Sequence, residues 1–112
     1  MRYALALDLM DDPALIAAYE KAHEHIWPEV REHLLVQGVL SMEIYRLGTR
    51  LFMLMEVDDA VYNAQAMAAA AQSNPVIQQW EALMWTYQAP TPWTPAGEKW
   101  VPMTRIFHLA KA

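Results

Sequence analysis

An α+β fold in the order β-α-β-β-α-β is predicted by three features of this 112-residue chain. Apolar residues alternate with period two near the start, in the middle and near the end, the pattern of half-buried strands. Between those stretches stand two helix-start signals, Asp12-Pro13 and Asn74-Pro75, each a capping side chain followed by a proline. Trp27-Pro28 and Asn74-Pro75 also divide the helical stretches, so each helical element is expected in two pieces. The length suits one domain over 1–112, with room for a core and too little chain for two.

The first strand runs from Arg2 to Met10, with Tyr3, Leu5, Leu7 and Leu9 on its buried face and small residues on the other. Asp12 caps a helix that begins at Pro13 and sets Leu15, Ile16, Tyr19, Ala22 and His23 on or near one stripe. Pro28 ends that helix, having no N–H and clashing with the preceding turn, and suits the first position of the next. The second helix carries Val30, Leu34 and Leu35 inward and stops at Gly38.

Val39 to Arg46 and Leu51 to Val57 read as strands joined by a hairpin at Leu47-Gly48-Thr49-Arg50. On the first of them Val39, Ser41, Glu43 and Tyr45 share one face, and Leu40, Met42 and Ile44 the other. Asp58-Asp59 is placed to cap an alanine-rich helix reaching about Ala71, lightly packed because only Val61, Tyr62 and Met67 can anchor it. After Asn74-Pro75, Ile77, Trp80, Met84 and Tyr87 form a helical stripe. Pro90 to Gly97 is an extended loop whose Trp93 is expected to bury. Glu98 to Leu109 alternates into a closing strand, and Pro102 puts that strand at an edge or across two sheets. This is the ferredoxin-like pattern. Helices on one sheet face leave the other bare, and pairing with a second copy is the simplest way to cover it.

Charge and composition exclude several classes. The net charge is −5 and the basic residues are scattered singly, so no nucleic acid partner is expected. The absence of cysteine removes disulfides, thiol nucleophiles and cysteine-ligated zinc, and suits a reducing cytoplasm. Asp8 cuts the first apolar run too short for a signal peptide, and no run approaches the ~20 residues of a membrane helix. A soluble cytoplasmic protein with no membrane partner is expected. No glycine-rich phosphate loop is present.

Residues able to carry chemistry gather between Tyr19 and Glu29, read as Tyr-Glu-Lys-Ala-His-Glu-His-Ile-Trp-Pro-Glu. Tyr19 and His23 are four residues apart and stack on one helical face, with Trp27 at the helix junction. Taken alone, such a pair is more often core packing than chemistry. Histidine is nonetheless the side chain whose ordinary pKa, ~6.5, suits acid–base work near neutrality. Trp80 is as readily a core residue as an aromatic platform for a ligand. Glu20, His23 and Glu24 match no standard ligand spacing and read as solvated surface, so neither metal nor cofactor is expected. His25 points away from His23 on a helix, while His33 and His108 show no partner and read as surface or satisfied strand residues.

The run His23-x-x-Ile26-Trp27-Pro28-Glu29, with Tyr19 four residues before it, resembles the signature of the L-rhamnose mutarotase family. The likeness continues through Met42-Glu43-Ile44-Tyr45, Trp80 and Glu98 to Leu109, and the C-terminal half is more similar to a divergent branch associated with L-fucose. The resemblance implies a dimeric α/β barrel, a homodimer that interconverts the α and β anomers of a 6-deoxy sugar without a cofactor. It implies His23 as the catalytic group, protonating the ring oxygen, with Tyr19 binding the sugar or orienting the imidazole and Trp80 as the sugar platform. Where the rhamnose pattern has two adjacent tryptophans this chain has Trp80-Glu81, and where that pattern has a tyrosine it has Met42, followed by Glu43. Glu43 and Glu81 are therefore the candidate substrate-binding carboxylates, each able to accept both protons of a vicinal diol. That change favours L-fucose over L-rhamnose. Two other classes stay open beside this one: a cofactor-free α+β-barrel monooxygenase and a non-enzymatic ligand-sensing module.

Overall fold

Strand β1 (Arg2–Leu9) is the centre of a single antiparallel sheet in a computed structural model that describes residues 1–111. It pairs on one side with β3 (Arg50–Val57), which pairs in turn with the edge strand β2 (Val39–Leu47). Its other side holds β4 (Gln88–Ala89) at Asp8 and Leu9, then β5 (Val101–Pro102) at Leu5 and Ala6. Helices α1 (Pro13–Ala22) and α2 (Pro28–Val36) connect β1 to β2, and α3 (Ala64–Gln72) and α4 (Pro75–Trp85) follow β3. The split β-α-β-β-α-β order and the sheet order β2-β3-β1-β4 are those of the ferredoxin-like fold.

The register explains which face is buried. Leu7 lies opposite Leu51, Leu5 opposite Met53 and Tyr3 opposite Met55, so the odd residues of β1 and β3 all turn toward the helices. A bulge between Val39 and Ser41 then shifts β2 by one residue. Because strand faces alternate, Val39 is buried on the same side as the half-buried Met42 and Ile44, whereas Leu40 is exposed. This corrects the face expected for Val39 and Leu40.

Local signals account for most helix ends. The Asp12 carboxylate accepts from the N–H groups of Ala14 and Leu15, and Asn74 does the same for Val76 and Ile77. The helix α1 stops at Ala22, ahead of Pro28, and Pro28 opens α2. Gly38 follows α2 with φ +94°, and a Cβ there would stand 2.9 Å from the backbone nitrogen of Tyr62. Both the left-handed conformation and the close approach call for glycine. Leu35 is exposed, because the inward stripe of this short helix is Val30 and Leu34 and Leu35 lies a further step around it.

Three other expectations change. The alanine-rich helix starts at Ala64 under an Asn63 cap, while Asp58 caps only a preceding turn. It buries no residue, in keeping with its thin anchors. Trp93 is 72% exposed and lies against the Arg50 guanidinium, because Thr91 is the buried anchor of its loop. The closing strand expected over Glu98–Leu109 is realised only at Val101–Pro102. With Leu5 opposite Pro102, the antiparallel register exhausts β1 at Arg105, and no strand partner remains among the described residues. Ile106, Phe107 and Leu109 are consequently 94%, 77% and 81% exposed.

Candidate active site

A cavity of about 350 Å³ lies between the helical layer and the buried sheet face. That volume falls in the ~300–1,000 Å³ range of small-molecule sites. Met42, Ile44, Met53 and Met55 line it from the sheet, and Trp80 and Met84 from α4. Its walls are mostly apolar. Tyr19, His23, His33, Glu81, Gln88 and Lys99 supply most of its polar groups.

His23 sits where α1 ends, as the C-cap residue, and its geometry specifies its tautomer. Nδ1 is 2.8 Å from the Tyr19 carbonyl oxygen. A carbonyl only accepts, so Nδ1 carries the hydrogen and Nε2 is the nitrogen left for a ligand. The imidazole lies 4.3 Å from the Tyr19 ring and 5.6 Å, edge-on, from the Trp80 ring, whose other neighbour is Trp27 at 5.2 Å. The ring also borders two more open hollows, one beside Glu20, Glu24 and Arg46 and one beside His25 and Arg31.

Tyr19 is 3% exposed, and burial pushes its phenol up to about 12, with the Gln88 amide opposing that rise. It is therefore a protonated donor at any physiological pH. The shift also has a consequence for stability. Below the ordinary value of 10.0 the phenol is protonated in both folded and unfolded chains, so stability is intact. Between pH 10 and 12 only the unfolded chain loses the proton, and the folded state weakens by about 1.4 kcal/mol per unit. Tyr19→Phe abolishes this term. Wild type is expected to lose about 2–3 kcal/mol more than the variant across that window in urea unfolding. Equal losses would refute the buried-phenol account.

The structure brings together four of the five residues expected from the sequence: Tyr19, His23, Trp80 and Glu81. Glu43 is not among them. It lies opposite Leu54 on the sheet face turned away from the helices, where the Tyr45 hydroxyl donates to its Oε2 at 2.5 Å. That bond is the main reason the exposed Tyr45 phenol is held above its usual value. Met42 occupies the cavity-facing position instead, because strand neighbours point to opposite faces.

Sequence reasoning missed His33, Gln88, Lys99 and Trp100, all of which border the cavity. His25 is exposed beyond α1, and His108 is exposed on the C-terminal segment. Gln88 is placed by the pairing of β4 with Leu9, and its side-chain oxygen is buried with no partner among the described residues. No local pattern announces such a residue in a two-residue strand. Among the described residues, no group of three or more His, Asp or Glu is placed to hold a metal ion.

An α+β ferredoxin-like chain with a histidine–tyrosine pair set into an apolar cavity defines a small-molecule site suited to acid–base chemistry. The chain belongs to the L-rhamnose mutarotase family, whose model matches residues 2–109. It is 47% identical to an L-fucose mutarotase of Xanthomonas campestris pv. campestris, over 99% of this chain and 90% of that one. It is 31% identical to an L-rhamnose mutarotase of Jannaschia sp., over 96% and 97% of the two chains. The crystal structure of an L-rhamnose mutarotase from Formosa agariphila has the same fold, with a TM-score of 0.70 at 19% identity over 98% and 99% of the chains. Family membership leaves the monooxygenase and ligand-sensor readings without support.

Proposed function

We propose that this protein is a sugar mutarotase, an isomerase that interconverts the α and β anomers of a 6-deoxy-L-hexopyranose, with L-fucose preferred over L-rhamnose. The observation that carries the reading is the His23 imidazole, fixed by its Nδ1 bond to Tyr19 so that Nε2 is free in an apolar, sugar-sized cavity. As the C1–ring-oxygen bond opens, the imidazolium form of His23, with hydrogen on both nitrogens, gives its Nε2 proton to the ring oxygen while the C1 hydroxyl gives up its proton to solvent, leaving the open aldehyde and the neutral Nδ1–H ring. Rotation about C1–C2 and reclosure reverse the same transfers and yield the other anomer. The Tyr19 hydroxyl donates to the sugar, and the Trp80 indole packs on its C–H face.

Preference for L-fucose rests on the greater identity to the L-fucose enzyme and on Glu81 at the cavity wall. Fucose presents a cis diol at C3 and C4, rhamnose at C2 and C3, so one fixed carboxylate cannot suit both equally. The test is the α–β exchange rate read from line broadening of the anomeric protons. The protein should accelerate exchange without consuming sugar, faster for L-fucose. Glu81→Gln should slow L-fucose exchange more than L-rhamnose exchange, whereas Glu43→Gln should change neither. Equal handling of both sugars by wild type and Glu81→Gln would remove Glu81 as the diol reader.

The working form is a homodimer, and the whole 1–112 span acts as one domain. Support comes from the C-terminal segment, whose Ile106, Phe107 and Leu109 find no cover among the described residues, and from the outer sheet face around Tyr45 and Phe52. A soluble monomer rarely exposes apolar patches above ~300–600 Å². Light scattering at micromolar concentration should give twice the chain mass, and a stable monomer would overturn the barrel. No helix among the described residues is long and apolar enough to cross a membrane. The cysteine-free sequence suits a cytoplasmic setting.

A further inference from the structure

Lys99 is a charged side chain that nothing in the sequence pattern marks, yet it stands in the cavity wall. Its ammonium is 2.5 Å from Glu81 Oε2 and 3.2 Å from the Glu81 carbonyl oxygen, bridging 18 residues of chain. It also lies 4.6 Å from the centre of the Trp85 ring. The lysine side chain is only 16% exposed, the more buried partner of the pair. Both residues border the same cavity as His23 and Trp80.

An ammonium has three donors and a carboxylate two acceptor oxygens. Two of the lysine donors are used on Glu81, which leaves one, and the pair leaves Glu81 Oε1 without a partner in the ion pair. We propose that Lys99 and Glu81 form a single recognition unit in which Lys99 donates to one sugar hydroxyl while Glu81 accepts from the adjacent one. Lys99 is thus a substrate-binding residue, and it also holds the Glu81 carboxylate in place. A carboxylate alone demands two protons from a diol. Beside an ammonium it reads a diol polarised in one direction, which discriminates more sharply between neighbouring hydroxyl pairs. The inference rests on the reading of the cavity as the sugar site.

The experiment compares wild type, Lys99→Met, Lys99→Arg, Glu81→Gln and the Lys99→Met/Glu81→Gln double variant. For each, KM and kcat for exchange of L-fucose and L-rhamnose are measured together with the melting temperature. Lys99→Met should raise KM for L-fucose by roughly tenfold or more, the usual effect of losing a charge-assisted hydrogen bond, and by more than it lowers kcat. Its ratio of L-fucose to L-rhamnose exchange should move toward one. Lys99→Arg keeps the charge and the donors and should recover part of that ratio. The double variant should be little worse than either single one, as residues of one unit are not additive. A purely structural strap predicts the opposite: Lys99→Met would lower the melting temperature and leave KM and the sugar ratio unchanged. That result, or strict additivity with Glu81→Gln, overturns the inference alone. No acceleration of either sugar by wild type overturns the mutarotase reading and this inference with it.

Discussion

His23→Ala is expected to lose anomer exchange by about 10²–10⁴-fold, the usual contribution of one positioned acid–base group. The loss should fall on kcat, because the imidazole acts on the ring oxygen while other groups hold the sugar. His23 is half-buried and follows the last turn of α1, so its removal costs one side-chain hydrogen bond, to the Tyr19 carbonyl, and its ring contacts with Tyr19 and Trp80. Circular dichroism should therefore match wild type, with a modestly lower melting temperature. A folded variant with near wild-type exchange would show that the proton comes from elsewhere.

Trp80→Ala should have the largest effect on stability, about 3–5 kcal/mol, as for other buried tryptophans cut to alanine. Trp80 is 6% exposed and packs against both Trp27 and His23, so its loss opens the core and the cavity wall together. Against a typical total of 5–15 kcal/mol, such a loss leaves a marginal fold. Urea unfolding should show a clear drop in midpoint with little change in slope. A variant within 1 kcal/mol of wild type would mean that the wall collapses onto the space, as some sites do. Activity lost in Trp80→Ala reports unfolding as much as binding. Trp80→Phe separates the two, since it keeps an apolar ring in the core and should mainly raise KM for the sugar.

Much of this molecule was legible residue by residue because its determinants are local. Asp12-Pro13 and Asn74-Pro75 start helices through bonds that span three residues. The spacing of Tyr19 and His23 alone places their rings together, and the stripe of Ile77, Trp80 and Met84 buries as its period requires. The ferredoxin-like order follows from such signals in series. The His23-to-Glu29 run, with Tyr19 before it, likewise carries the family resemblance within eleven residues.

Tertiary structure decided the features that depend on pairing between distant segments. The bulge at Leu40 belongs to the ladder between β2 and β3, and it alone turns Val39 inward while Glu43 stays outside. Strict alternation cannot show where one residue is added. The contact of Lys99 with Glu81 joins residues far apart in the chain, and the burial of Gln88 needs β4 to meet Leu9. Beyond Arg105 the last segment has no β1 backbone left to pair with, because β1 begins at Arg2, a limit imposed by register and invisible in the alternation of Glu98 to Leu109 itself. Period and capping are properties of a few neighbouring residues, whereas register, bulges and cavity walls are properties of two segments meeting, and only the folded chain brings them together.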